Sequence, residues 1–177
     1  MIGVPEPPPS LLRRVEALAR NLLPGLLAVV TMIAAAGPTG LPVLAPALTL
    51  PQVVFWSIYR PAAMSPPAVF LLGLLLDLLA LAPLGSGLLT LLLAHGLALR
   101  WRRFLARQGF LLLWLAFCGF AVGAAALGYV LSALLDFALP PLGPALQLAA
   151  LTACVFPPIA LLLGRVHALM LRAEETA

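Results

Sequence analysis

Two ionisable side chains, Asp77 and His95, lie within long apolar stretches and are the first candidates for chemistry. A charge in a bilayer-length apolar segment costs roughly 2.5 to 3.5 kcal/mol on insertion scales, so Asp77 requires a structural or functional reason. A proton relay would need a chain of such groups. Counted from the turn between their two segments, the side chains differ in depth by roughly 7 to 8 Å, from the helical rise per residue. A direct bond between them therefore needs stagger or a bridging water.

A simpler role is favoured for each of these groups. Asp77 is expected to accept hydrogen bonds from the backbone, or from the hydroxyls of Ser86 or Thr90, near the turn that follows it. His95 is expected to be buried, or to extend toward the nearby arginines, rather than to act as a ligand. Asp136 follows an apolar segment and is predicted to be a solvated loop charge.

Other chemistry finds little support in the sequence. Histidines, cysteines and carboxylates do not occur at metal-ligand spacing. The sequence also has no HExxH helix, no GxSxG elbow and no glycine-rich phosphate loop. Neither a metal, a cofactor nor catalysis is therefore predicted.

The composition predicts an integral membrane protein. Of the 177 residues, 63% are hydrophobic and 9% are charged, whereas about 25% of the residues in a typical soluble domain are charged. Such a chain has too few polar residues to cover a water-facing surface. All ten basic residues are arginines spread over several short loops, which argues against nucleic-acid binding.

Six apolar segments approach the roughly 20 residues that a membrane-spanning helix needs, which predicts an all-α protein. Arginines precede the first segment and follow the second, fourth and sixth, whereas the turns after the first, third and fifth carry none. Six spans place every arginine on one side of the membrane, with both termini cytoplasmic, as the positive-inside rule requires. The predicted segments are 22–36, 41–59, 66–82, 84–100, 110–135 and 144–164.

These boundaries divide the chain into three parts. A cytoplasmic N-terminal tail with prolines and arginines covers residues 1–20, the transmembrane domain covers 21–164, and a cytoplasmic C-terminal tail covers 165–177. No small-residue cleavage site follows the N-terminal tail, so it is interpreted as uncleaved. Pro46 and Pro51 are expected to kink or break the second segment, which would then be packed against protein.

The loop after the fourth segment combines arginines with aromatic residues. Trp101 and Phe104 lie beside these arginines, where interfacial aromatic side chains are expected. The arginines could contact anionic lipid headgroups at roughly 1 kcal/mol each, although topology alone accounts for their placement. The four arginines are Arg100, Arg102, Arg103 and Arg107.

The fifth segment carries two rows of small residues. Gly119 and Gly123 are four residues apart, and Ala124, Gly128 and Ser132 form the second row. Such rows let helix backbones approach closely. Packing within the protein is the first expectation, and docking of a partner's helix is the functional alternative.

The hairpin of the third and fourth segments resembles the rod shape-determining protein MreD family. The resemblance is carried by FLLGLLLDLLALAPLG at residues 70–85, followed by an apolar segment that closes on RWRR at residues 100–103. A proline-bearing second segment and six spans in a short chain also look like that family. The residues that match the family's pattern are Gly73, Asp77, Pro83 and Gly85.

The resemblance implies a component of the bacterial inner membrane that belongs to the machinery for cell elongation and peptidoglycan synthesis. Proteins of that family work with MreC, the RodA glycosyltransferase, its transpeptidase partner and the MreB cytoskeleton, the last directly or through other components. They are not thought to be catalytic. Their fold is similar to the substrate-binding subunits of energy-coupling-factor vitamin transporters. The resemblance does not assign a role to Asp77.

Three classes of function follow. The leading hypothesis is a non-catalytic scaffold, surrounded by membrane lipids, that binds MreC and has a groove lined by apolar and small residues. The alternative is a solute-binding subunit of an energy-coupling-factor-type transporter, which needs a polar, often aromatic-lined pocket near the external face. The few polar residues in the external halves of the segments argue against a polar vitamin. An intramembrane enzyme is the third class, and it lacks a catalytic pair.

Overall fold

The computed structural model describes residues 11–37, 43–80, 83–135 and 137–175. Within these ranges the regular secondary structure is entirely helical, which confirms the predicted all-α class. The predictions for Asp136 and for the first ten residues lie outside the described residues. The helices are α1 (Leu11–Ala36), α2 (Leu44–Tyr59), α3 (Pro66–Ala80), α4 (Ser86–Leu105), α5 (Phe110–Leu135) and α6 (Leu142–Glu175).

Each predicted segment corresponds to one helix, but several helices extend further than predicted. Helix α4 continues five residues past Arg100, and α6 continues from Gly164 to Glu175. Both helices continue past the end of their apolar runs, because arginine, alanine, leucine and methionine are all good helix formers. The C-terminal tail predicted from residue 165 is therefore largely helical.

The membrane-crossing potential of the helices is uneven. By length and composition alone, α5 and most of α6 could each cross a membrane. The apolar part of α1, Leu22–Ala36, and the whole of α2 and α3 are shorter. Large apolar side chains nevertheless face outward along the bundle, among them Leu26, Leu71 and Leu111, each more than 60% exposed. Soluble monomers rarely expose apolar surface on this scale.

Helix α2 forms the centre of the bundle. It packs against α1, α4 and α6, and most of its residues are buried. The expected break at the prolines is absent, because α2 is continuous. Pro46 lies in its first turn, where the backbone N–H has no helical partner to lose. Pro51 lies inside the helix and is buried, so the expectation that this segment packs against protein is confirmed.

Polar side chains connect neighbouring helices at a few points. The amide Nε2 of Gln52 on α2 donates to Thr31 Oγ1 on α1 at 2.6 Å. The indole Nε1 of Trp114 on α5 donates to the Ala153 carbonyl on α6 at 3.0 Å. Partly buried side-chain hydrogen bonds of this kind join neighbouring helices. Apolar contacts also join the helices, as in the stacked pair of aromatic rings between α5 and α6, whose centroids are 4.0 Å apart.

Candidate functional site

The carboxylate of Asp77 binds the N-terminus of the neighbouring helix. Asp77 lies near the end of α3 and is 2% exposed. Its Oδ2 accepts the N–H of Gly85 at 2.8 Å, and its Oδ1 accepts the N–H of Gly87 at 2.7 Å. A longer bond of 3.3 Å runs from the N–H of Leu88 to Oδ2. The first N–H groups of a helix have no partner within it, so Asp77 supplies the missing cap of α4 from outside.

The turn before α4 explains why a distant residue provides this cap. Gly85 occupies the N-cap position with a φ of +100°, and it has no side chain that could accept a hydrogen bond from the helix. Serine, threonine, aspartate or asparagine usually fills that role. The Ser86 N–H bonds to the Pro83 carbonyl at 3.1 Å, which closes the turn and directs the first N–H groups of α4 toward α3. A negative charge at this place also interacts favourably with the helix dipole.

Two glycines allow α3 and α4 to approach this closely. A Cβ atom at Gly73 would lie 2.5 Å from the Cα of Leu88. A Cβ atom at Gly87 would lie 2.5 Å from Oδ1 of Asp77. Both positions therefore have room for a hydrogen only. We call Gly73, Asp77, Gly85 and Gly87 the hairpin lock.

The hairpin lock matches the anchoring role that the sequence favours. The backbone hydrogen bonds predicted for Asp77 are present, whereas the Thr90 hydroxyl donates to the Ser86 carbonyl instead, at 2.7 Å. Gly87 was missed by sequence reasoning. Its contact depends on where the Asp77 side chain lies, and no local sequence signal reports that. Pro83 is exposed and contributes its carbonyl to the turn.

His95 is a buried residue of the bundle core and bonds to α2 rather than to Asp77. It is 3% exposed, and its Nδ1 lies 2.7 Å from Ser57 Oγ. Ser57 Oγ donates its single proton to the Val53 carbonyl at 2.5 Å, so the imidazole Nδ1–H is the donor. Nε2 then remains a buried acceptor without a hydrogen-bond partner among the described residues. The burial predicted for His95 is confirmed.

A second histidine, His167, lies in the same half of the bundle. Its ring lies 6.3 Å from that of Trp56 and 5.9 Å from that of Tyr59, measured between centroids. Sequence reasoning missed it because the predicted sixth segment stops at residue 164. Among the described residues, no three histidines, cysteines or carboxylates could together hold a metal ion.

The small-residue rows of α5 do not behave as first expected. Gly119 and Gly123 are exposed, and a Cβ at either position would meet no atom of the described residues within 4 Å. The expectation that this row packs within the protein is therefore wrong. Gly128 is half-buried and also has open space beside it. With Ala124 and Ser132 it lines a cavity instead of a helix contact.

The cavity has a volume of about 350 Å³ and lies at the hairpin end of the bundle. Residues of α2, α3, α4, α5 and α6 line it, and its surface is mainly apolar. Three of its polar side chains are engaged with backbone: Asp77 caps α4, the Thr90 hydroxyl donates to the Ser86 carbonyl, and the Thr152 hydroxyl donates to the Leu148 carbonyl at 2.6 Å. The cavity offers apolar and small residues rather than a dense set of polar groups.

These features define an all-helical protein with an apolar outer surface, a polar core on its central helix and a carboxylate-locked hairpin. The family model described as rod shape-determining protein MreD matches residues 19–166. That range includes the hairpin lock and the cavity, and the chain belongs to the MreD family. MreD is a membrane-associated, shape-determining family, so a role in rod-shape determination follows. No curated protein and no solved structure matches the chain.

Proposed function

We propose that the protein is a non-catalytic component of the bacterial inner membrane that positions MreC and the RodA–transpeptidase synthase during cell elongation. Membership of the MreD family supports the shape-determining role. The observation that supports a non-catalytic role is the hydrogen bonding of Asp77. Both of its oxygens accept backbone N–H groups, so its charge is committed to holding the hairpin.

The proposal includes six membrane spans with both termini in the cytoplasm. The outward-facing leucines of α1, α3, α5 and α6 support contact with lipid. The one-sided distribution of arginines in the sequence supports the orientation. In this placement the hairpin turn and the cavity face the periplasm, and the end of α4 faces the cytoplasm.

The exposed glycines of α5 support a role in partner binding. Gly119 and Gly123 present a smooth backbone surface on the outside of the bundle, and small residues of this kind let a second helix approach closely. We assign this surface to a membrane helix of MreC. The RodA–transpeptidase synthase is then recruited through the same complex.

Affinity purification in mild detergent tests the scaffold. The tagged chain is expected to recover MreC, and Asp77→Asn is expected to recover it too, provided that the variant folds. Gly123→Leu places a bulky side chain on the proposed docking surface and is expected to reduce recovery at unchanged expression. If the tagged wild-type chain never recovers MreC, the scaffold function is refuted.

A second candidate function, solute binding in an energy-coupling-factor-type complex, is favoured by the cavity alone. Its volume of about 350 Å³ falls within the roughly 300–1,000 Å³ that is typical of ligand sites. Its mainly apolar surface suits an apolar solute better than a polar vitamin. Extraction of small molecules from purified protein, followed by mass spectrometry, tests it. Stoichiometric recovery of a vitamin would favour transport over scaffolding.

A further inference from the structure

A second concave site lies at the opposite end of the bundle from the hairpin. It is a cleft of about 540 Å³ between the end of α2 and the last turn of α4. Among the described residues that line it, none is acidic and three are arginines. The principal lining residues are Ile58, Tyr59, Pro61, Arg102, Arg103 and Arg107.

The backbone around the cleft brings the three arginines together. Leu105 is 2% exposed, and it anchors the last turn of α4 in the core. After that turn the chain bends tightly, with the Arg107 N–H bonded to the Phe104 carbonyl at 3.2 Å. Arg107 thereby lines the same cleft as Arg102 and Arg103.

The opposite wall of the cleft is also held in place. Helix α2 ends at Tyr59, and the Arg60 N–H bonds back to the Trp56 carbonyl at 2.8 Å. The Ala63 N–H bonds to the Arg60 carbonyl at 3.1 Å, which continues the turn. Tyr59 and Pro61 therefore lie at fixed positions in this wall.

Exposed aromatic residues indicate the depth of the cleft in a membrane. Trp101 is 53% exposed and Phe104 is 60% exposed, and both flank the arginines on α4. Aromatic side chains in such positions are typical of the headgroup level. A ligand whose charge lies in the cleft would therefore have apolar surface next to it, where acyl chains can run along the bundle.

We propose that this cleft binds the phosphate group of an anionic phospholipid. Guanidinium groups pair with phosphate oxygens in a bidentate manner, and three of them around one concavity suit a phosphodiester. A soluble phosphate compound offers the same chemistry, but the flanking aromatic residues favour the lipid. This assignment rests on the proposed membrane placement, with this end in the cytoplasmic leaflet.

Arg100 provides a matched control for the topological effect of positive charge. It belongs to the same helix and is exposed like Arg103, but it does not line the cleft. If arginines act here only through bulk attraction to an anionic surface, both positions should contribute equally. If the cleft is a site, Arg103 should matter more than Arg100.

The experiment is native mass spectrometry of the full-length protein in mild detergent, titrated with phosphatidylglycerol or phosphatidylcholine. We expect one phosphatidylglycerol to bind in preference to phosphatidylcholine. Arg103→Gln should weaken that binding about fivefold, as expected from roughly 1 kcal/mol per arginine. Arg102→Gln with Arg107→Gln should abolish the preference, and Arg100→Gln should change it less than twofold.

Two results would overturn the proposal. Equal effects of Arg100→Gln and Arg103→Gln would show bulk attraction without a site. Displacement of phosphatidylglycerol by inorganic pyrophosphate at similar concentration would show that the ligand is a soluble phosphate. Helix content measured by circular dichroism confirms that each variant folds. MreC recovery from the same preparations separates the two proposals, because failure of lipid binding leaves recovery intact.

Discussion

The α3–α4 hairpin and helix α5 each carry glycines within helices, among them Gly73 and Gly87 in the hairpin and Gly119 and Gly123 on α5, yet the two regions use them in opposite ways. In the hairpin, Gly73 and Gly87 lie where another atom occupies the place of a side chain. On α5, Gly119 and Gly123 face open space. The comparison teaches that a glycine within an apolar helix does not by itself indicate a close helix contact. The hairpin glycines allow a close helix contact, whereas those of α5 make no such contact among the described residues.

The largest expected effect comes from removing the carboxylate of the hairpin lock. Asp77→Leu leaves the N–H groups of Gly85, Gly87 and Leu88 without their acceptor. Each buried unpaired group costs about 1–3 kcal/mol, so we expect the free energy of unfolding to fall by about 3 kcal/mol or more. Chemical denaturation in mixed micelles, followed by circular dichroism, measures it.

Asp77→Asn serves as the graded control for that change. It keeps one acceptor oxygen and loses the charge, so we expect a smaller loss than for Asp77→Leu. If Asp77→Leu were as stable as wild type, the carboxylate would not stabilise the hairpin, and the contrast between the hairpin and α5 would be lost.

A smaller loss is expected when a methyl group is forced between α3 and α4. The Cβ of Gly73→Ala would meet the Leu88 backbone, and the helices must separate to admit it. Overpacking of this kind costs about 1–3 kcal/mol. The control is Gly96→Ala on α4, where a Cβ meets nothing and alanine should stabilise by about 0.5–1 kcal/mol. Thermal unfolding of both variants checks the predicted difference in sign.

The turn glycine should give an effect near the lower end of that range. No described atom lies within 4 Å of a Cβ placed at Gly85, so a substitution there tests backbone conformation. Its φ of +100° is unfavourable for any L-residue with a side chain, and Gly85→Ala should cost about 1–2 kcal/mol. The same unfolding measurement applies. An unchanged midpoint would mean that the turn relaxes without loss of the Asp77 cap.

No loss of stability is expected on α5. Gly119→Ala and Gly123→Ala, like Gly96→Ala, should raise the free energy of unfolding by about 0.5–1 kcal/mol. Unfolding of the isolated protein measures this, and MreC recovery measures association separately. A loss as large as that of Gly73→Ala would indicate that the α5 surface is already buried in the isolated protein, by a second copy for example.

The sequence predicted the hairpin better than it predicted α5, for a physical reason. Asp77 is a charge in an apolar helix, so its position alone requires a nearby set of donors, and the following turn supplies them. Helix α5 is apolar all round, and such a helix has little amphipathic signal to orient it. The sequence therefore could not show whether the face of α5 that carries Gly119 and Gly123 points into the bundle or outward.

The contacts of His95 and Gly87 could not be predicted from the sequence either. The His95–Ser57 bond joins residues 38 positions apart and depends on how α2 packs against α4. The Gly87 contact depends on the rotamer of Asp77. The length of α6 was underestimated because hydropathy marks where a chain leaves an apolar environment and not where a helix ends.

The unequal lengths of α3 and α5 have a consequence for the bilayer itself. Helix α3 has 15 residues, and α5 has 26. At the helical rise these lengths correspond to roughly 22 and 39 Å, on either side of a hydrocarbon thickness of about 30 Å. Since α3 exposes Leu71 and Leu78, lipid would have to thin beside α3 in the proposed six-span placement, whereas beside α5 it would have to thicken or the helix would have to tilt. The protein would thus impose a thickness gradient on the membrane around it, and neighbouring proteins would sort along that gradient by the lengths of their own spans.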